Sequence, residues 1–170
     1  MLNLLGAGLL VLGSGLEGWR RASLLDRRQR VLVEMAEAFT WMQNEIVKRQ
    51  TPMIEIIHYQ MKRDGEVAVL FRLFLHHLTV TQLLLAEAWQ EATKEYSIVT
   101  VLHKDDLEWI SRVGNAINQF DRTSIDKELV FVIHVLNSRQ QEARNRSLQY
   151  GKLYKTIGWM GGVLAVLLLS

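Results

Sequence analysis

Asp105, Asp106 and Glu108 are the densest run of carboxylates in the chain and the grouping that could do acid–base work. The same pattern at a helix start is a solvated first turn favoured by the helix dipole, and a solvated first turn is expected. His58, His76, His77, His103 and His134 never stand three or four apart. No helical face therefore offers the paired imidazoles of a zinc site. The chain has no cysteine, which removes thiolate metal sites, thiol nucleophiles and a disulfide framework. Phosphate-binding, dinucleotide-binding and nucleophile-elbow motifs are all missing. Gly13-Ser14-Gly15 lies in an apolar stretch, and Trp41, Trp89 and Trp109 read as core or half-buried rings. We expect no catalysis, no metal, no cofactor and no small-molecule substrate.

Charge carries more information than any of these groups. The 170 residues have a net charge of +2, but the charges are sorted along the chain. Arg20, Arg21, Arg27, Arg28 and Arg30 follow the uncharged stretch from Met1 to Leu16, and Arg139, Arg144, Arg146, Lys152 and Lys155 precede a second one, Thr156 to Ser170. These two clusters hold ten cations against Asp26 and Glu142, whereas residues 31–138 hold ten cations against fifteen carboxylates. Cations beside apolar ends are attracted to anionic lipid headgroups by about 1 kcal/mol each, so an anionic membrane surface is the expected partner and nucleic acid is not. The positive-inside bias puts both clusters on the cytoplasmic side. Residues 1–19 and 156–170 are expected as short membrane anchors flanking a cytoplasmic domain, 20–155. A cleaved signal peptide is disfavoured, because no cation precedes the apolar stretch and arginines follow it directly.

The middle of the chain repeats an apolar residue every three or four positions, the signature of amphipathic helices. Leu24, Leu25, Val31, Leu32, Met35, Phe39, Met42 and Ile46 mark one long helix to Arg49. Thr51-Pro52 reads as an N-cap with proline at the first helical position, opening a second helix that Asp64-Gly65 ends. A third runs from Val67 to Leu78. Thr79 with Gln82 reads as a capping box for a fourth, whose stripe is Leu85, Trp89, Ala92 and Tyr96. After a β-branched connection at 97–101, Leu107, Ile110, Val113, Ile117 and Phe120 mark a fifth. A sixth leaves the polar turn 121–124 through Leu129, Val132, Leu136 and Ala143 towards the second anchor. The fold class is all-α, a six-helix antiparallel bundle flanked by short N- and C-terminal membrane anchors. An even count returns both ends to one side, in agreement with the charges. Ser14 with Gly18, and Gly158 with Gly162, have the small-x-x-x-small spacing that lets membrane helices pack closely, and we expect the anchors to pack on each other there.

The chain resembles the stage III sporulation protein AB family of endospore-forming bacteria. The resemblance rests on Leu4-Leu5-Gly6-Ala7, Glu45-Ile46 leading to Thr51-Pro52, Glu87-Ala88-Trp89, and Lys155 with Ile157-Gly158 and Gly162. Departures fall at Arg49, where a glycine is expected, at Glu55-Ile56 and at Ile117-Asn118. The resemblance implies a bundle similar to the cytoplasmic domains of the type II secretion inner-membrane platform protein. It also implies a non-enzymatic role in the secretion-like channel between mother cell and forespore, in the mother-cell membrane, beside a cytosolic ATPase and other sporulation-channel proteins.

Helix parity puts three turns at the end away from the lipid: 48–52, 76–81 and 119–124. Arg49, Thr51, His76, His77, Phe120, Asp121 and Arg122 are the expected partner-facing residues, with Phe120 either a hot spot or a cap on the core. The rival reading is a membrane-anchored dimeric helical bundle that transmits a signal.

Overall fold

The computed structural model describes the backbone of residues 2–118 and 122–169 and the side chains of 13, 16–118, 122–150, 156 and 160. Six α-helices are described: α1 Leu2–Asn44, α2 Met53–Met61, α3 Val67–Thr79, α4 Leu85–Val99, α5 Lys104–Ile117 and α6 Arg122–Leu169. The chain divides into two units, residues 30–140 and residues 1–29 with 141–170. Among the described residues no helix is long and apolar enough to cross a membrane.

Within 30–140 the helices form a bundle whose core follows the expected stripes. Val31, Leu32, Met35, Phe39 and Met42 of α1 are at most 1 % exposed, and Leu129, Val132 and Leu136 of α6 are fully buried. Trp89 of α4 is the hub: its ring meets Phe39 at 6.0 Å, Phe71 at 5.7 Å and Phe74 at 5.0 Å. Its Nε1 donates to the carbonyl of Ile110 at 2.9 Å, so the one polar atom of a buried indole is satisfied. Gly114 of α5 lies so close that an added Cβ would stand 2.7 Å from Trp89 Cδ1.

Side-chain pairs fix the antiparallel order. Gln60 of α2 donates to the carbonyl of Ala38, and the Gly65 turn beyond α2 lies against Glu34, so α2 rises as α1 falls. Asp105 with Arg139, Trp109 with Phe131 and Arg112 with Glu128 do the same for α5 and α6. Gln43 donates to Asp126 at 2.6 Å, joining the late part of α1 to the first turns of α6. Asp64-Gly65 does break the chain between α2 and α3, with Gly65 at φ +119°. That conformation is open to glycine and strained for other residues.

Three local expectations need correction. Thr51 does not cap α2: its hydroxyl donates to the Glu45 carboxylate at 2.6 Å, and Pro52 holds the capping position without a side-chain bond. Thr79 belongs to the last turn of α3 and donates to the Leu75 carbonyl, while Gln82, at φ 54°, lies in the connection to α4, so the two form no capping box. The connection at 97–101 is shorter than expected, because α4 runs to Val99 and Thr100 turns extended.

The end of α1 is the most irregular point of this unit. A π-helical turn, Glu45–Arg49, follows α1 and closes on Gln50 in the left-handed region, φ 59° and ψ 33°, whose N–H reaches the Glu45 carbonyl. A residue with a Cβ is disfavoured there by about 1–2 kcal/mol, whereas glycine is not. Gln50→Gly removes that strain and gives up an exposed bond from Arg122, so we expect a net gain of about 0.5 kcal/mol, read as a higher urea midpoint.

In the other unit, α1 and α6 again run antiparallel, tied by a hydrogen bond from the Ser147 hydroxyl to Asp26. Gly18 is buried, and Ala22 and Ala143 are each 2 % exposed. Arg28, at 4 % exposed, is the one large side chain among the buried described residues of this unit.

Candidate functional site

Two groups of residues hold the expected interaction chemistry, and the structure treats them differently. The first is the turn after α1. Glu45 is 6 % exposed and is the acceptor around which the turn is wound. Its carboxylate takes hydrogen bonds from Thr51 Oγ1 at 2.6 Å and Arg49 at 2.9 Å, and its carbonyl takes the Thr51 N–H at 3.0 Å. Arg122, at the start of α6, donates to Gln50 Oε1 at 3.1 Å. Arg49, Thr51 and Arg122 are therefore brought together at the turn after α1. Thr51 is spent on Glu45, whereas Arg49, paired with the same carboxylate, keeps 73 % of its side chain in solvent.

His76 and His77, in the last turns of α3, differ from each other. His76 is exposed, but His77 is only 8 % exposed. Its Nδ1 meets Thr81 Oγ1 at 3.3 Å and its Nε2 approaches Glu95 at 3.5 Å. This corrects the expectation of a displayed residue: three positions after Phe74 and seven after Leu70, His77 falls on the buried stripe of α3. Phe120 and Asp121 lie outside the described residues.

The second group is the cationic set. Arg20, Arg21, Arg27, Arg30, Arg144 and Arg146 are exposed, and Arg139 is half-buried against Asp105. Arg20 and Arg21 share Glu17 at 2.9 and 2.8 Å, and Arg146 pairs with Glu142 at 2.6 Å. Arg28 departs from the set. At 4 % exposure it is not displayed to any surface, because it stands four residues before Leu32 on the buried face of α1. The side chains of Lys152 and Lys155, and those of Ser14, Gly158 and Gly162, lie outside the described residues; Gly18, the fourth small residue expected to pack, is buried. Large apolar side chains are interleaved with the exposed cations: Leu16 and Trp19 at 63 %, Leu148 at 63 %, Tyr150 at 47 % and Met160 at 60 %.

The carboxylate run of α5 resolves into separate roles. Asp105 reaches Arg139 at 3.8 Å and Glu108 is exposed. Asp106 has no exposed surface and accepts the His103 N–H at 3.0 Å, which ties down the start of α5. Of the three, Asp106 departs from the solvated reading. Among the described residues no group of three or more His, Asp or Glu is placed to hold a metal.

Comparison with known proteins decides what the chain is related to. The model of the stage III sporulation protein AB family matches residues 3–170. The chain belongs to that family. A relative described as stage III sporulation protein AB, from Bacillus subtilis (strain 168), is 25 % identical over 170 residues, covering 99 % of each chain. No solved structure matches. Within the family resemblance, Glu45-Ile46 and Thr51-Pro52 now have a physical role, since they are the acceptor and the stop of the turn after α1. Glu87-Ala88-Trp89 likewise has one: its Trp89 is the hub of the core.

Sequence reasoning missed three features. Glu45 as a buried acceptor had a signal, its place three residues after Met42 on the α1 stripe. Gln50 had none, because a left-handed residue other than glycine leaves no mark in composition. The third is an open groove along α1 and α6, lined by Ala36, Thr40, Trp41, Asn44, Asn137 and Gln140 among others.

Proposed function

We propose that this sporulation protein is a non-enzymatic, membrane-anchored adaptor of the secretion-like channel between mother cell and forespore. In this reading residues 1–19 and 156–170 enter the mother-cell membrane, the bundle faces the cytoplasm, and the tip around Arg49 and Arg122 receives a cytosolic ATPase or other channel proteins. The observation that carries it is the mixture on the 1–29/141–170 unit of exposed arginines with exposed Leu16, Trp19, Leu148 and Tyr150. Cations attracted to anionic headgroups beside aromatic rings of interfacial preference are the composition of a helix end at a membrane surface.

Two measurements test it. Replacing Arg20, Arg21, Arg27 and Arg30 together by glutamate is expected to reduce flotation of the full chain with phosphatidylglycerol vesicles at least tenfold, since each cation contributes about 1 kcal/mol; the wild-type loss should grow with salt. Flotation unchanged by charge reversal and by salt would overturn the lipid role of these residues. Because the chain lacks cysteine, Ser97→Cys and Thr123→Cys can be labelled with an impermeant maleimide. Protection of both in intact cells, and reaction in opened cells, is the expected result. Reaction of both in intact cells places the bundle outside and removes the cytosolic ATPase as a partner.

A further inference from the structure

Residues 80–84 join α3 to α4, and His77, in the last turn of α3, lies beside Glu95 of α4. Leu85, where α4 begins, stands ten residues and so about 15 Å before Glu95. The connection therefore runs back along α4 as a strap. Gln82 within it is in the left-handed region at φ 54°, and Val80 and Leu84 are 66 % and 69 % exposed. A strained backbone of this kind persists only where its surroundings hold it. Here the holding residue is His77, whose carbonyl accepts the Leu83 N–H at 3.1 Å and the Thr81 hydroxyl at 2.7 Å.

The His77 ring faces an acceptor at each nitrogen. The Thr81 hydroxyl gives its own hydrogen to the His77 carbonyl, so its Oγ1, 3.3 Å from Nδ1, can only accept from the ring. On the other edge Nε2 is buried without a hydrogen bond and stands 3.5 Å from the Glu95 carboxylate. A neutral imidazole has one hydrogen for these two acceptors. With it on Nδ1, a bare Nε2 opposes the carboxylate. With it on Nε2, either a bare Nδ1 opposes Oγ1 or Thr81 turns its hydrogen away from the His77 carbonyl. Each neutral form therefore loses one bond of the set, and only the imidazolium makes them all. Burial disfavours that charge and the carboxylate favours it. His76, edge-on to His77 at 5.6 Å, is the other titratable group facing the ring and repels it when both are charged. Glu91 and Lys94, the neighbours of Glu95 on α4, pair with each other at 3.4 Å.

We propose that His77 is a proton-operated clasp on the strap 80–84. With its proton it joins Thr81 of the strap to Glu95 of α4. Without it one bond is lost, and the strap, carrying Val80 and Leu84, opens more often. Because the clasped state holds the proton, closure and protonation favour each other, so the clasp is complete at low pH and weakens as pH rises. All of its groups lie within the 30–140 unit, and it works whether or not the chain meets a membrane.

Amide hydrogen exchange of the full chain in detergent, corrected at each pH for the intrinsic rate, reads the strap through the Leu83 N–H. One hydrogen bond is worth about fivefold in an equilibrium. Leu83 protection is therefore expected to fall about fivefold between about pH 6 and pH 8, the range over which imidazoles ionise, while that of Ala92 in α4 holds. Glu95→Gln offers an amide that can donate to a bare Nε2, so the neutral ring is satisfied and the fall should shrink below about twofold. His76→Gln removes the neighbouring ring and should keep the fall. Leu83 protection indifferent to pH, a fall that survives Glu95→Gln, a fall that His76→Gln abolishes, or an equal fall at Ala92 would each overturn the clasp.

Discussion

Trp89→Ala is expected to lower the free energy of unfolding by about 3–5 kcal/mol, the range for removing a large aromatic from a packed core. The residue is fully buried and joins α4 to α1 through Phe39, to α3 through Phe71 and Phe74, and to α5 through its bond to the Ile110 carbonyl. Truncation leaves a cavity bounded by rings that cannot all collapse into it. A loss under about 1 kcal/mol by urea unfolding, below the usual range for core truncations, would show that Trp89 is not the hub. Gly114 provides the converse test. Gly114→Ala would push a methyl into the indole edge and is expected to cost about 1–3 kcal/mol from overpacking. In the Trp89→Ala background the same methyl enters the vacated space, so the double variant should be less destabilised than the sum of the two singles. Additive losses would separate the two sites.

Glu45→Ala is expected to cost about 2–3 kcal/mol, close to the value of one buried hydrogen bond to a charged group. The bond that matters is the one from Thr51. The bond to Arg49 adds little, because Arg49 is largely in solvent and exposed pairs are worth at most about 1 kcal/mol. Glu45→Gln keeps an acceptor for the Thr51 hydroxyl without the charge, and is expected to lose about half as much. Hydrogen exchange localises the effect: the Thr51 and Ile56 amides, bonded to Glu45 and Pro52, should exchange faster in Glu45→Ala while amides around Trp89 keep their protection. Uniform acceleration would mean that Glu45 supports the whole bundle rather than the turn.

Much of this architecture was legible in the chain. The apolar period places α1 to α6, and Pro52 and Asp64-Gly65 interrupt it where the structure does. The buried polar residues are instructive because two kinds of sequence signal disagree over them. Arg28, Glu45, Gln60, His77 and Asp106 are all buried, and each stands three, four or seven positions from core residues of its own helix. Periodicity places them inward. Reading them by charge places them outward, and for Arg28, His77 and Asp106 the charge reading failed. Burial of an ionised or polar group is favourable when a partner waits there, and a linear pattern does not record the partner.

By itself the sequence determined the helical class, the helix count and the sorting of cations towards both ends, because each depends on residues a few positions apart and on how their side chains divide between apolar neighbours and water. Only the tertiary structure decided the π-turn closed by Gln50, the partners of Asp106 and His77, and the open groove between α1 and α6. These depend on contacts such as Gln43 with Asp126, 83 residues apart, and on which face each helix turns to the next. Local period sets which side of a helix is apolar, but only packing against a distant helix sets which polar groups that side can satisfy.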